Sequence, residues 1–406
     1  MTTQRQMIRP QPIDLAPWPL GGLLVPDVDG GRELARAAVA GEAAPADGPL
    51  AFWARAAVDD ADGALAALEG LDDPACDYDR FVLAPSAERL EELRQRFDGP
   101  LAELLEVAAF RVGLRESPPT LQVLDGELLA SARATEASAA LERGDHDGAA
   151  EALRGAIDAA RTASPGLAAQ LYVSLIETER ARNASADQVV ELLKEALACL
   201  GESGFDTLRA ELQLEQAVVL QEAFPARLGE AAALFQDALR ALDPTTHRRA
   251  YGFTQMRLGL AYLSMPMADA GDALRMGVAT QALKRAVDVL DPAQESELWC
   301  AAATNLANAY QVLPSGHLGD NLETAVDLYG RALGIRTAEL DPLGHARLLV
   351  NRANACASLE RFDDAIGDLR GAVPLLQSTG ASEELTASRQ LLQSLERTRA
   401  TAGELA

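Results

Sequence analysis

Aromatic residues make up only 4% of this 406-residue chain, so the residues that favour strands are few. Ala, Leu, Glu, Arg and Asp dominate instead, a composition that forms helix. No apolar run is long enough to span a bilayer, which takes about 18 residues or more. Prolines interrupt the apolar residues near the N-terminus, so no signal-peptide core is legible there. The four cysteines, Cys76, Cys199, Cys300 and Cys356, show no CxxC spacing, and they read as reduced, mostly buried thiols of a cytosolic protein. Neither GxGxxG nor GxxxxGK[ST] occurs, so no glycine loop cradles a phosphate. His146, His247, His317 and His345 are far apart, without HExxH or a paired Cys/His spacing. No GxSxG elbow is present, and carboxylates are too common for any pairing of them to be informative. These absences assign no catalytic residue, no cofactor and no metal, and the chain reads as a non-enzyme.

What is present is a foldable, strongly acidic chain. Hydrophobic residues at 48% exclude a largely disordered polymer. The 36 basic and 61 acidic residues give a net charge of −25, which repels nucleic acid and anionic membrane. A cytoplasmic protein with protein or peptide partners is expected, with neither nucleic acid nor membrane among them.

Four segments follow in order. Residues 1–31 carry five prolines between Pro10 and Pro26, together with Ile13, Leu15, Trp18, Leu20, Leu23 and Leu24. That mixture predicts an extended arm lying along the rest of the chain. Residues 32–120 read as a degenerate helical region, in which Asp62–Leu71 (DGALAALEGL) echoes Asp147–Ala156 (DGAAEALRGA). Residues 121–380 carry clear helix pairs, and 381–406 a polar final helix suited to capping an array. Ser164-Pro165, Asp243-Pro244, Asp291-Pro292 and Asp341-Pro342 each predict a helix start, with a capping acceptor before a first-turn proline.

The strongest pattern lies in residues 298–374. Ala307, Tyr310, Ala325, Tyr329 and Ala332 recur one pair later as Ala353, Cys356, Ala365, Leu369 and Ala372, and RFDDAI spans Arg361 to Ile366. Two antiparallel helices approach closely only where facing side chains are small. This pattern resembles the tetratricopeptide repeat. Anchored on Ala149, Val189, Ala231, Ala279, Ala325 and Ala365, the spacings are 40, 42, 48, 46 and 40, longer than the family's ~34. Longer repeats also occur in relatives such as kinesin light chains. The resemblance implies an all-α, right-handed α-solenoid of about six or seven helix pairs, with the Pro-rich arm and the polar capping helix at its ends.

In that family the first helices line a groove. The residues two before and one after the central small position point into it. These are Asn305 and Asn308 around Ala307, and Asn351 and Asn354 around Ala353. Arg257 and Leu260 hold the slots in the preceding repeat, and Arg347 lies at the groove edge. An Asn amide both donates and accepts, so it can pair with the backbone of an extended peptide whatever its sequence. Enlarged inner turns, SMPMADAGDALRMG and VLPSGHLGDN, occupy consecutive repeats. They bring His317, a candidate ligand contact, and three of the methionines in Met256, Met265, Met267 and Met276, residue types that suit an adaptable surface or a core gap.

The expected function is a non-enzymatic scaffold or adaptor that binds a polypeptide segment. Residues 250–370 also resemble tetratricopeptide proteins that accompany [NiFe]-hydrogenase gene clusters in actinobacteria. That resemblance implies an accessory or assembly role for a metalloenzyme, with a hydrogenase subunit as partner. A regulatory peptide receptor is the remaining alternative.

Overall fold

The computed structural model describes residues 22–26, 29, 31, 47–48, 50–56, 58, 60–201, 205–267, 271–314 and 317–404. Most of the expected arm, residues 1–21, lies outside the described residues. Eighteen α-helices and a short 3-10 turn (Pro225–Arg227) account for the regular secondary structure among the described residues, apart from a bridge at Leu23 and Leu24. The chain divides into two units, Met1–Val219 and Leu220–Ala406.

The first unit begins with α1 (Ala51–Ala56), α2 (Ala61–Ala67), α3 (Pro74–Leu83), α4 (Ala87–Arg96) and α5 (Gly99–Arg111). The pairs α6 (Gly126–Glu142) with α7 (His146–Ala160), and α8 (Pro165–Ala181) with α9 (Ala186–Leu200), follow. The unit boundary falls inside α10 (Asp206–Ala223). The second unit holds α11 (Leu228–Ala238), the pairs α12 (Arg248–Ser264) with α13 (Asp272–Val289), α14 (Ser296–Val312) with α15 (Leu318–Ile335), and α16 (Pro342–Ser358) with α17 (Phe362–Ser378), and finally α18 (Ser382–Glu404). Each helix packs mainly on its neighbours in sequence, as in an α-solenoid of tetratricopeptide-like pairs.

Small side chains set the approach of these helices. The six anchors Ala149, Val189, Ala231, Ala279, Ala325 and Ala365 are all buried. Seven residues further on, Ala156, Ala196, Ala238, Ala286, Ala332 and Ala372 are each 0% exposed. Two helical turns separate the members of each pair, so both face the same way. In the first helices, Ala307 and Ala353 are likewise 0% exposed. Gly259 holds that slot in α12, where a Cβ would lie 2.7 Å from Leu283 Cγ and 2.9 Å from the Ala279 carbonyl. The helices there are too close even for alanine without a shift.

Helix starts share a device. Asp60, Asp145 and Asp341 cap α2, α7 and α16 by accepting from Gly63 N (2.9 Å), Gly148 N (2.9 Å) and Gly344 N (2.8 Å). The echo between DGALAALEGL and DGAAEALRGA is thus a shared cap, with the carboxylate occupying the space a Cβ would need. Ser164 stands at the N-cap of α8 without a side-chain bond. Asp243-Pro244 and Asp291-Pro292 do not start helices: α12 and α14 begin at Arg248 and Ser296. Asp243 instead accepts from Thr245 N (2.8 Å) and Thr246 N (2.9 Å), and Asp291 from Ala293 N (2.8 Å). These are Asx-type turns, which use the same residue types as a cap. The bonds from the Thr245 hydroxyl and the two backbone N–H groups hold the Asp243 carboxyl well below the usual range.

The enlarged turns are only partly loop. α13 and α15 start seven residues before Ala279 and Ala325, whereas α7 and α17 start three before Ala149 and Ala365. The inserted residues therefore add about one helical turn to each second helix. Arg275 then ties down the remaining turn, donating to Pro266 O (2.9 Å) and pairing with Asp272 (2.8 Å).

In the first unit, an extended stretch at Leu23–Val25 enters the core. Leu23 and Val25 pack with Phe52, Trp53, Leu68 and Cys76. Leu24 packs into the other cluster, with Phe81, Leu93 and Leu105. Alternate residues thus serve two clusters, as the two-residue period of an extended chain requires. Leu24 N donates to Asp79 Oδ1 (2.7 Å), and the fully buried Asp79 leaves Oδ2 without a partner. Burial raises the Asp79 carboxyl well above its ordinary range, and the Leu24 N–H opposes this less strongly.

In the second unit, α18 closes on α17 with Leu395 and Ser388 buried. Ion pairs Arg370–Glu396 (2.7 Å) and Arg399–Asp363 (2.7 Å) tie its polar side to the preceding helix.

Three variants test this packing. Gly259→Val should lower unfolding stability by about 2 kcal/mol, because added volume must force α12 from α13. Gly367→Ala should raise it by about 1 kcal/mol, because that glycine is exposed within a helix and a Cβ there meets nothing within 4 Å. Urea titration of both variants reads the opposite signs. Asp79→Asn keeps an acceptor for Leu24 N and removes the charge. A carboxyl raised in the folded state loses stability as pH climbs above its unfolded value of about 3.9. The variant should match the parent near that pH and exceed it increasingly until the raised folded value is passed; parallel pH profiles would contradict this.

Candidate functional site

The face built by the first helices of the second unit follows from helical periodicity. Residues spaced by three and four share one side. On α12 that side carries Ala250, Phe253, Arg257, Leu260 and Ser264. On α14 it carries Leu298, Ala301, Asn305, Asn308 and Val312, and on α16 Gly344, Arg347, Asn351, Asn354 and Ser358. The buried small residues Gly259, Ala307 and Ala353 belong to the packed side, so the flanking residues are turned from it.

The four asparagines behave in two ways. Asn351 Nδ2 donates to Asn308 Oδ1 (3.3 Å), joining α16 to α14. The same Asn308 oxygen accepts from the Tyr329 hydroxyl (2.5 Å), which in turn accepts from Gln311 Nε2 (2.7 Å). Burial raises the Tyr329 hydroxyl well above its usual range, so it remains a donor at neutral pH. With its oxygen doubly engaged, Asn308 has its amide nitrogen left to offer. Asn305 is half-buried and Asn354 exposed, and among the described residues neither makes a side-chain hydrogen bond.

The two arginines are already engaged. Arg257 pairs with Glu222 (2.6 Å), approaches Gln221 Oε1 (3.4 Å) and stacks over Phe253 at 5.3 Å. Its Nε is buried without a partner. Arg347 pairs with Glu384 of α18 (2.7 Å), both groups being well exposed. The structure therefore brings Asn308 and Asn351 together, leaves Asn305 and Asn354 available, and commits both cations to carboxylates.

Next to the asparagines the same face dips into an open cleft of about 730 Å³ between α12 and α14. Ala250, Phe253, Leu298 and Ala301 supply its apolar walls, and Arg249 and Glu297 stand among its polar ones. These residues were not singled out from sequence, although Phe253 stands four before Arg257, and Ala301 four before Asn305. That spacing is the signal that would have found them.

The remaining candidates separate from this face. Met256 and Met276 are buried, Met265 is half-buried, and Met267 is 65% exposed at the first enlarged turn. Leu274, Val312 and Leu318 are also exposed at or beside the two enlarged turns. His317 is exposed and lies 3.8 Å from Asp320. His345 places Nδ1 2.7 Å from the Arg336 carbonyl, a structural contact. Cys76, Cys300 and Cys356 are buried and Cys199 half-buried, all unbridged. Burial pushes the Cys76 thiol up to about 12, which makes it a poor nucleophile. Among the described residues no group of three or more His, Cys, Asp or Glu could hold a metal ion, and no helix is long and apolar enough to cross a membrane.

No protein-family model matches this chain, and no curated protein matches it. Solved structures share its fold. The apo form of RapI is similar over 86% of this chain and 97% of its own, with TM-score 0.50 and 13% identity. The signal transduction ATPase with numerous domains from Pyrococcus horikoshii, which has a tetratricopeptide repeat sensor, is similar over 83% of this chain, with TM-score 0.50 and 14% identity. This chain covers 47% of that larger protein. At such identities the likeness is one of fold, and the chain has a tetratricopeptide-like α-helical fold.

Proposed function

We propose that the first-helix face of the second unit holds an extended segment of another polypeptide, so that the protein acts as a non-enzymatic scaffold or adaptor. The observation that carries this reading is the outward pair Asn305 and Asn354. Both lie on the face turned from the packed small residues, without side-chain hydrogen bonds among the described residues, and Asn305 follows the cleft residue Ala301 by one helical turn. Asn305 and Asn354 pair with the backbone of the bound segment. The Asn308 nitrogen adds a donor, while the Asn308–Asn351 bond fixes the two helices relative to one another. The cleft beside Phe253 and Leu298 takes one apolar side chain, which gives register. Arg257 and Arg347, being ion-paired, position this face and do not clamp a carboxylate.

A regulatory peptide receptor would use the same face, and the Pyrococcus horikoshii protein has a tetratricopeptide repeat sensor. An accessory role for a metalloenzyme such as a [NiFe]-hydrogenase would make the segment part of an unfinished subunit. That narrower reading stands on the sequence resemblance of residues 250–370 alone. The acidic surface favours a protein partner over nucleic acid or an anionic membrane.

A random peptide display library panned on the full-length chain supplies the probe. Selected peptides, measured by fluorescence polarisation, should bind at least tenfold more weakly to the Asn305→Ala/Asn354→Ala double variant, with its melting temperature unchanged. Equal affinity for parent and variant would contradict the assignment.

A further inference from the structure

The charged side chains lining the cleft between α12 and α14 divide into engaged and free ones. Glu295 pairs with Arg248 (3.1 Å) and accepts from Asp291 N (2.8 Å). Arg336 lies 3.4 Å from Asp341. Arg249 and Glu297 are exposed, and among the described residues neither forms a hydrogen bond or an ion pair.

Folding gives Arg249 nothing to do. It stands in the first turn of α12, where the positive end of the helix disfavours a cation, and no acidic residue shares that turn. Its neighbour Arg248 is offset by Glu295, whereas Arg249 has no such carboxylate. Glu297 sits in the first turn of α14, which suits an anion, yet it too meets no partner. A local rule broken without compensation marks a residue kept for something other than the fold.

Helical spacing sets both groups at the same end of the cleft. Arg249 stands one turn before Phe253 on one wall, and Glu297 one turn before Ala301 on the other. The Arg248–Glu295 pair bridges the same two helices and holds their spacing. Packed helix axes lie about 8–10 Å apart, a span that an extended chain covers in about three residues.

On the reading that this face holds a polypeptide segment, we infer that Arg249 and Glu297 select the sequence of that segment. An apolar residue seats in the cleft, an acidic residue beside it faces Arg249, and a basic residue about three positions from the acidic one faces Glu297. Opposite charges on opposite walls also give the segment a direction, because a reversed chain sets like charges together. The chain's net charge of −25 repels a segment that is acidic throughout, so the acidic residue is a single one within a neutral or basic stretch.

Peptides panned from a random library on the full-length protein should be enriched in acidic, apolar and basic residues in that order. At low salt, fluorescence polarisation should show Arg249→Glu weakening them about fivefold, the size expected of an exposed pair turned repulsive. Replacing the peptide's acidic residue with Lys should restore affinity for that variant. Arg249→Glu/Glu297→Arg should prefer peptides whose two charges are exchanged. Both positions are exposed, and an unchanged melting temperature checks that the variants fold. Should Arg249→Glu not fold, Arg249→Gln should lose the preference for the acidic residue. Peptides that bind Arg249→Glu as well as the parent, or lose affinity whatever their charge, overturn the inference. If such peptides still weaken on Asn305→Ala/Asn354→Ala, segment binding stands without it. Rescue by charge exchange, with no effect of the asparagine substitutions, upholds the charged cleft and rejects the asparagines' role. A library without binders, or binders indifferent to both sets of variants, contradicts both.

Discussion

The structure depends on how closely its helices can approach. Twelve small or β-branched residues, two per second helix and two turns apart, are buried at the contacts. Helix axes about 8–10 Å apart leave little space between backbones, and alanine fills it without losing side-chain entropy. Larger residues fill the gaps on either side, as Leu153, Leu193, Phe235, Leu283, Tyr329 and Leu369 do, all nearly or fully buried. Each pair thus buries one side of its first helix completely and leaves another uncommitted.

That uncommitted side is where function can reside. Packing dictates Ala307 and Ala353 but places no demand on Asn305 or Asn354, two residues away or one. Polar amides there add nothing to the core. What they offer is two outward donors and acceptors on a frame held rigid by neighbouring helices. The Tyr329–Asn308–Asn351 chain shows how core and face are joined: a buried ring sends its hydroxyl outward to fix an amide, which fixes the next helix. The N-terminal region applies the same physics differently. Its extended Leu23–Val25 segment acts as a wedge between two clusters, and the buried Asp79 carboxyl accepts from the Leu24 backbone N–H.

Much of the fold was legible because close packing leaves a mark in composition. The six anchors recur in register, and all six are buried. What escaped was whatever depends on partners distant in sequence. Arg257 and Arg347 look like available cations until Glu222 and Glu384, each more than thirty residues away, are brought beside them. Asp243-Pro244 and Asp291-Pro292 read as caps because an Asx turn and an N-cap call for the same acceptor. The enlarged turns look like loops, since nothing local marks where an added helical turn gives way to one. The cleft beside Phe253 was legible in principle, from the same three-and-four spacing that picked out the asparagines.

The most direct test of this account is a leucine scan of α14 to α17, with folding read by protease resistance of displayed protein. Close helix approach predicts that leucine is rejected at Ala307, Ala325, Ala332, Ala353, Ala365 and Ala372, and tolerated at Asn305 and Asn354. If those alanines accept leucine as readily as the exposed positions do, close approach does not organise this fold.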